Sequence, residues 1–210
     1  MAAKLQKQIY FSKRRILKNS DECLFDLKEG TLETLFGAFY EAVSLYEREV
    51  IQTPPNVRPR GFEASLLNAK MIQCIMEILP NNSKFGKYKR FIVRLSGYIF
   101  LFKKLNSKSL PMNIKTSHSS LLENQLQGRL FDSNDDGSEP ILYFGYQKDR
   151  FGDIVNPKLV YIDEGKVKWE ITNKEIDSSK KTHSISDIPS VTTTRKVALR
   201  EGSRKIASGE

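Results

Sequence analysis

Residues 89–105 read KRFIVRLSGYIFLFKKL, and their period-two pattern decides the fold. Phe91, Val93 and Leu95 alternate with Arg90, Ile92 and Arg94, Ser96-Gly97 supplies a two-residue turn with glycine available for positive φ, and Tyr98 begins a return strand. Pairing outward from that turn sets Leu95 opposite Tyr98, Val93 opposite Phe100 and Phe91 opposite Phe102, which makes one face an aromatic-aliphatic slab. The other face pairs Arg94 with Ile99, Ile92 with Leu101 and Arg90 with Lys103. Like charges placed directly opposite each other cost roughly a few tenths of a kcal/mol. The pattern therefore predicts a different register, acids reaching in from elsewhere, or a sheet end built for a negative ligand.

This hairpin lies inside the largest one-sign block of the chain. From 78 to 122 there is no Asp or Glu, while Lys84, Lys87, Lys89, Arg90, Arg94, Lys103, Lys104, Lys108 and Lys115 all fall within it. The first twenty residues add Lys4, Lys7, Lys13, Arg14, Arg15 and Lys18, again without an acid. The 210-residue chain carries +9 overall, so the remaining residues are net acidic. A field segregated in this way attracts polyanions.

Working outward, 1–21 reads as a basic N-terminal arm and 22–172 as a single α+β domain. Leu32, Leu35, Phe36, Phe39, Val43 and Tyr46 form a helical stripe after Gly30-Thr31, with Thr31 expected as the cap. Thr53-Pro54-Pro55 stops that helix, and a second is expected over 62–79 with Leu67, Met71, Ile75 and Met76 inward. Ser120 to Glu123 has the form of a capping box opening a third helix to 131. A strand over 141–146 and a second hairpin about Glu164-Gly165 follow, with Val160 facing Trp169 and Ile162 facing Val167. Residues 173–210 lack aromatics and a sustained period, and read as a disordered basic tail. The expected fold is thus an antiparallel sheet of two hairpins plus a further strand, packed against two or three helices on one face.

The chemistry-bearing signals are few. Cys23 and Cys74 make no metal-ligand spacing, and no Walker loop, Gly-x-Gly-x-x-Gly or Gly-x-Ser-x-Gly elbow occurs. Asp153, Glu164 and Lys166 resemble the acid and Glu-x-Lys pattern of restriction-endonuclease-like nucleases in those three positions alone, and Gly165 makes Glu164 a turn residue. Asp132, Asp135, Asp136, Asp149 and Asp153 meet no EF-hand spacing. Tyr88, Tyr98, Phe100 and Phe102 would stack on unpaired bases if exposed, but a sheet needs them as core. Phe151, between Arg150 and Gly152, reads as a turn-flanking core residue, the alternative being part of a small-molecule or peptide surface.

The sequence leads to a non-enzymatic protein of the cytoplasm that binds nucleic acid, DNA or RNA, through phosphate contacts. The candidate residues are Lys87, Lys89, Arg90, Arg94, Lys103 and Lys104 on the hairpin, helped by Arg14 and Arg15 on the arm. The alternative is a regulatory module docking an acidic protein, and the remoter one a Mg²⁺-dependent nuclease. No cofactor and no membrane contact are expected, since no run of eighteen apolar residues occurs.

Overall fold

The structure is a computed structural model and describes residues 17, 19–27, 30–86, 89–112, 116, 122–125 and 139–176. Its elements are helices α1 (Ser20–Asp26), α2 (Thr31–Val50) and α3 (Phe62–Ile78), a 3-10 turn at Pro55–Val57, and strands β1 (Ser83–Phe85), β2 (Phe91–Leu95), β3 (Tyr98–Lys104), β4 (Ile141–Lys148), β5 (Ile154–Asp163) and β6 (Lys166–Thr172). The strands form one sheet in the order β1-β2-β3-β4-β5-β6. The class is α+β.

The β2–β3 hairpin has the expected register, with Leu95 opposite Tyr98 and Val93 opposite Phe100. Continuing outward, the Phe91 and Phe102 rings sit 5.6 Å apart. Helix α1 was not anticipated, and four features of the sheet depart from the sequence reading. The sheet is mixed, because β4 runs parallel to β3 with Ile99 beside Ile141 and Lys104 beside Tyr146. A parallel neighbour requires a crossover, and the connection 105–140 is long enough to carry the chain back to the starting end. Strand β1 was not anticipated; it is three residues long and pairs Phe85 with Phe91. Strand β5 begins before Pro157, at a place where the register with β4 shifts between Gly145 and Gln147, a position a sheet tolerates for proline. In the second hairpin an irregularity beside Ile162 sets Tyr161 opposite Trp169 and Val160 opposite Glu170, so only the Ile162–Val167 pair is as expected.

Both faces of the sheet are buried, where one was expected. On the first face Phe91, Val93, Tyr98, Phe100, Phe102, Leu142, Phe144, Tyr146, Leu159 and Tyr161 pack with the helices. Phe36 and Phe39 of α2 meet Phe144 at 5.0 and 5.6 Å between ring centroids. On the second face Ile92, Ile99, Leu101, Ile141, Tyr143, Val160 and Ile162 pack with Leu105, Leu110 and Leu122 from the crossover. Burying each such side chain contributes about 1.5–3 kcal/mol, so the crossover holds a second core. The alternation of sequence cannot reveal this, because Ile and Leu among cations look like an amphipathic edge.

Within the helical layer, Gly30 rather than Thr31 occupies the cap position of α2, with φ 82, and Thr34 Oγ1 donates back to the Gly30 carbonyl at 2.6 Å. Tyr46 and the rest of the predicted stripe lie inward, with Val43 partly buried. On α3 Leu67, Met71, Cys74 and Ile75 are buried, but Met76 faces out. The Tyr98 hydroxyl donates to Asp26 Oδ2 at 2.6 Å and ties α1 to β3. Of the expected third helix only 122–125 is described, and Gln125 has φ 56, which breaks a continuous helix there. Residues 173–176 make a helical turn with Ile176 buried, and 177–210 lie outside the described residues, as does nearly all of 1–21.

One side-chain cluster joins α2, the α2–α3 connection and β4. Arg58 donates from Nε to the Thr53 carbonyl and from Nη2 to the Val50 carbonyl, both at 2.8 Å, and from Nη1 to Glu63 Oε1 at 3.1 Å. Lys148 Nζ donates to Glu63 Oε2 at 3.1 Å. Arg58 thereby satisfies carbonyls that a helix end leaves open. Arg58→Ala is expected to lower the unfolding free energy by about 1–2 kcal/mol, read as a lower denaturant midpoint with an unchanged m-value. The Lys148 hydrogen bond, and after it Arg58, hold the Glu63 carboxyl below its ordinary value of 4.5. The contribution of Glu63 is therefore complete above that value and is lost as pH falls through the lower folded one.

Candidate functional site

Strand direction sorts the polar residues by sheet end. β2 starts, β3 and β4 finish, and β5 starts at one common end, because Phe85 pairs with Phe91, Lys104 with Tyr146 and Lys148 with Ile154. That end gathers Lys89, Arg90, Lys103, Lys104, Lys108, Lys148 and Arg150, residues from three separate stretches of sequence. The opposite end holds the Ser96-Gly97 and Glu164-Gly165 turns, with Glu139 and Asp163 beside them.

The hairpin cations divide between the two ends and the two faces. Arg90 and Lys103 share the second face at the common end, as the hairpin register requires. Burial first, and then the neighbouring Arg90 charge, lower the Lys103 pKa from its ordinary 10.5. Among the described residues neither Arg90 nor Lys103 has a carboxylate partner. Lys104, one residue on, belongs to the opposite face, opposite Tyr146. Lys89 is exposed in the β1–β2 turn with φ 54. Arg94 is elsewhere: it lies near the Ser96-Gly97 turn, and its Nε is 3.4 Å from Glu139 Oε2. An acid brought by the distant β3–β4 connection therefore meets Arg94, while Arg90 and Lys103 at the other end of the same face meet none among the described residues. Lys87, Arg14 and Arg15 lie outside the described residues.

The acids at the common end are mostly engaged locally. Glu63 holds Lys148 and Arg58. Glu170 accepts from Lys158 Nζ at 3.0 Å and from Ser109 Oγ at 3.0 Å, and Ser109 Oγ also accepts from Lys158 Nζ at 3.1 Å. This network pins the turn after β3, which carries the exposed Lys108, onto β5 and β6. Asp149 Oδ1 accepts from the backbone N–H groups of Phe151 and Asp153 at 2.8 and 2.9 Å. Asp153 is exposed, as is Asp149.

No protein-family model, curated protein or solved structure matches the chain. Function must be read from the geometry itself.

The nuclease constellation does not assemble. Asp153 precedes β5 and Glu164 follows it, so the ten-residue strand separates them by about 30 Å at the usual rise. Glu164 pairs with Lys168 at 3.0 Å on the exposed tip. Among the described residues no three His, Cys, Asp or Glu side chains group as metal ligands, and no helix is long and apolar enough to cross a membrane.

Tyr98 and Phe100 are fully buried and Phe102 nearly so, which removes them as stacking surfaces. Tyr88 is outside the described residues. Sequence reasoning did not single out Phe85, which is 54% exposed, and its reading of Phe151 as a turn-flanking core residue is corrected by the structure, where that ring is 76% exposed. The signal for them was local: Phe85 stands between Lys84 and Gly86, and Phe151 between Arg150 and Gly152.

Proposed function

We propose that the protein binds nucleic acid through the cationic end of its sheet, with Arg90 and Lys103 as the central phosphate ligands and Lys89, Lys104 and Lys108 around them. The observation that supports this most is the Arg90–Lys103 pair. Two like charges are held together by a fixed hairpin register, one of them in a partly desolvated position, without a carboxylate among the described residues. Such an arrangement disfavours the charged form in the free protein and is relieved by an anion from outside. Neutralisation of several phosphates would supply affinity with little base choice.

The pair has two separable consequences. The folded-state pKa of Lys103 is depressed, so the unfolded chain holds more protons between the folded value and 10.5, and the cost of Lys103 is present below that window and fades as pH rises through it. Lys103→Met is therefore expected to raise thermal stability at neutral pH while weakening oligonucleotide binding. Arg90→Ala and Lys103→Met are each expected to flatten the plot of log affinity against log salt by about 0.7–0.9 for every phosphate left without its cation, measured by fluorescence anisotropy. Affinity that is indifferent to salt from 50 to 200 mM, roughly the range over which phosphate-led binding collapses, overturns the reading. An acidic protein would meet the same cations, and a pull-down that survives nuclease treatment would favour it instead.

A further inference from the structure

We infer that the ligand is single-stranded, with Phe151 and Phe85 as the surfaces on which its unpaired bases stack; this rests on the nucleic-acid reading above and specifies it. Both aromatics lie at the cationic end: Phe85, paired with Phe91, shares the first face with Lys104, and Phe151 follows β4, the strand that pairs with the strand of Lys103 and Lys104. Phe85 ends β1, and Phe151 caps the β4–β5 turn. The lateral distance between β1 and β4 is three strand spacings, about 15 Å.

Each ring is presented by a built support. Asp149 fixes the turn beneath Phe151: besides the two N–H groups taken by its carboxylate, its carbonyl accepts from Gly152 N at 3.2 Å, and its own N–H donates to the Asp153 carbonyl at 3.0 Å. Gly152 sits at φ 94, a conformation in which a side chain would be strained. The Arg150 guanidinium carbon lies 4.7 Å from the Phe151 ring centroid, so a cation accompanies the ring to the ligand. Phe85 is the outer member of a row of rings running into the core: 5.6 Å to Phe91, then 5.6 Å to Phe102, then 5.9 Å to Phe144. A backbone already fixed by hydrogen bonds loses little entropy when its ring is covered.

The charge pattern selects the class of nucleic acid. The β4–β5 turn sets Lys148 and Arg150 against Asp149 and Asp153, so it adds no net attraction for phosphate. What it adds is an exposed π-face, and a duplex conceals the base faces that such a ring would meet. Every base offers that face once unpaired. Phosphate contacts at Lys104 on the face of Phe85 and at Arg90 and Lys103 on the other, joined across the end of the sheet with stacking at Phe85 and Phe151, therefore discriminate by strandedness and not by sequence.

The test uses the full chain and two fluorescein-labelled oligonucleotides of mixed sequence and equal length, one single-stranded and one duplex. Wild type is expected to bind the single strand more tightly. Phe151→Ala and Phe85→Ala should each weaken single-strand binding about tenfold, leave duplex affinity and the salt slope unchanged, and leave the melting temperature of Phe151→Ala at the wild-type value. Phe151→Trp should retain binding. If both oligonucleotides bind with salt-dependent affinity but the alanine variants match wild type, the stacking inference fails and the phosphate reading stands. If neither binds at low salt, both fail together.

Discussion

Gly145→Ala is expected to destabilise the protein by about 3 kcal/mol, at the upper end of what a single added methyl costs in a packed interior. Gly145 lies in the middle of the sheet, between Lys103 on β3 and Lys158 on β5. A Cβ at this position would sit 2.6 Å from the Lys103 carbonyl oxygen and 2.4 Å from Leu105 Cγ. The second of these can retreat by a rotamer change. The first is backbone inside a parallel ladder and cannot move without displacing β3. The clash also bears on the binding end, because the strand that must shift carries Lys103 and Lys104. A lower denaturant midpoint, together with weaker oligonucleotide binding in the fraction that still folds, is the expected pair of results. A midpoint within experimental error of wild type would mean that β3 and β4 are not in this register.

Gln125→Leu is expected to cost more, about 3–5 kcal/mol, because it leaves three buried backbone groups without partners at about 1–3 kcal/mol each. The Gln125 side chain is 2% exposed. Its Oε1 accepts from Ile141 N at 2.7 Å, and its Nε2 donates to the carbonyls of Ile141 and Ile162 at 3.0 and 2.6 Å. It thus closes the ends of β4 and β5 with one amide, from a segment of the crossover that has no strand of its own. Leucine is somewhat larger than glutamine, so the substitution leaves no cavity to account for the loss. Measured against a whole-protein stability of roughly 5–15 kcal/mol, such a change approaches global unfolding at 37 °C. Gln125→Glu keeps the acceptor for Ile141 N but sets an oxygen against the Ile141 and Ile162 carbonyls, so its destabilisation is expected to ease as pH falls and the carboxyl protonates and can donate to one of them. A wild-type melting temperature for the leucine variant would place the crossover elsewhere on the sheet.

Helices α2 and α3 and the first hairpin were legible because their signals are local, whereas the two-turn α1 was not anticipated and the expected helix from Ser120 is interrupted at Gln125. The stripe from Leu32 to Tyr46 needs only the 3.6-residue period, and the Leu95–Tyr98 register needs only a turn residue and alternation. The second hairpin was half legible: its turn was plain, but the irregularity beside Ile162 moved Trp169 from Val160 to Tyr161, and a bulge leaves no mark in a run of alternating residues. Strand β1 was too short to carry a period. The candidate site was visible as a charge block but not as a place. Lys89, Arg90, Lys103 and Lys104 were named with Arg94, and only strand direction separates them from it.

The chain alone determined the α+β class, the hairpin register, the juxtaposition of Arg90 with Lys103 and the segregation of positive charge, since each follows from spacing between near neighbours. Tertiary structure decided the parallel β3–β4 pair, the second buried face, the acid that meets Arg94 and the arrival of Phe151 at the cationic end. All four depend on where a long connection brings the chain back. The free energy that selects that return is the burial of Ile92, Ile99, Leu101 and Tyr143 beneath residues distant in sequence, a non-local term that no window of neighbouring residues contains.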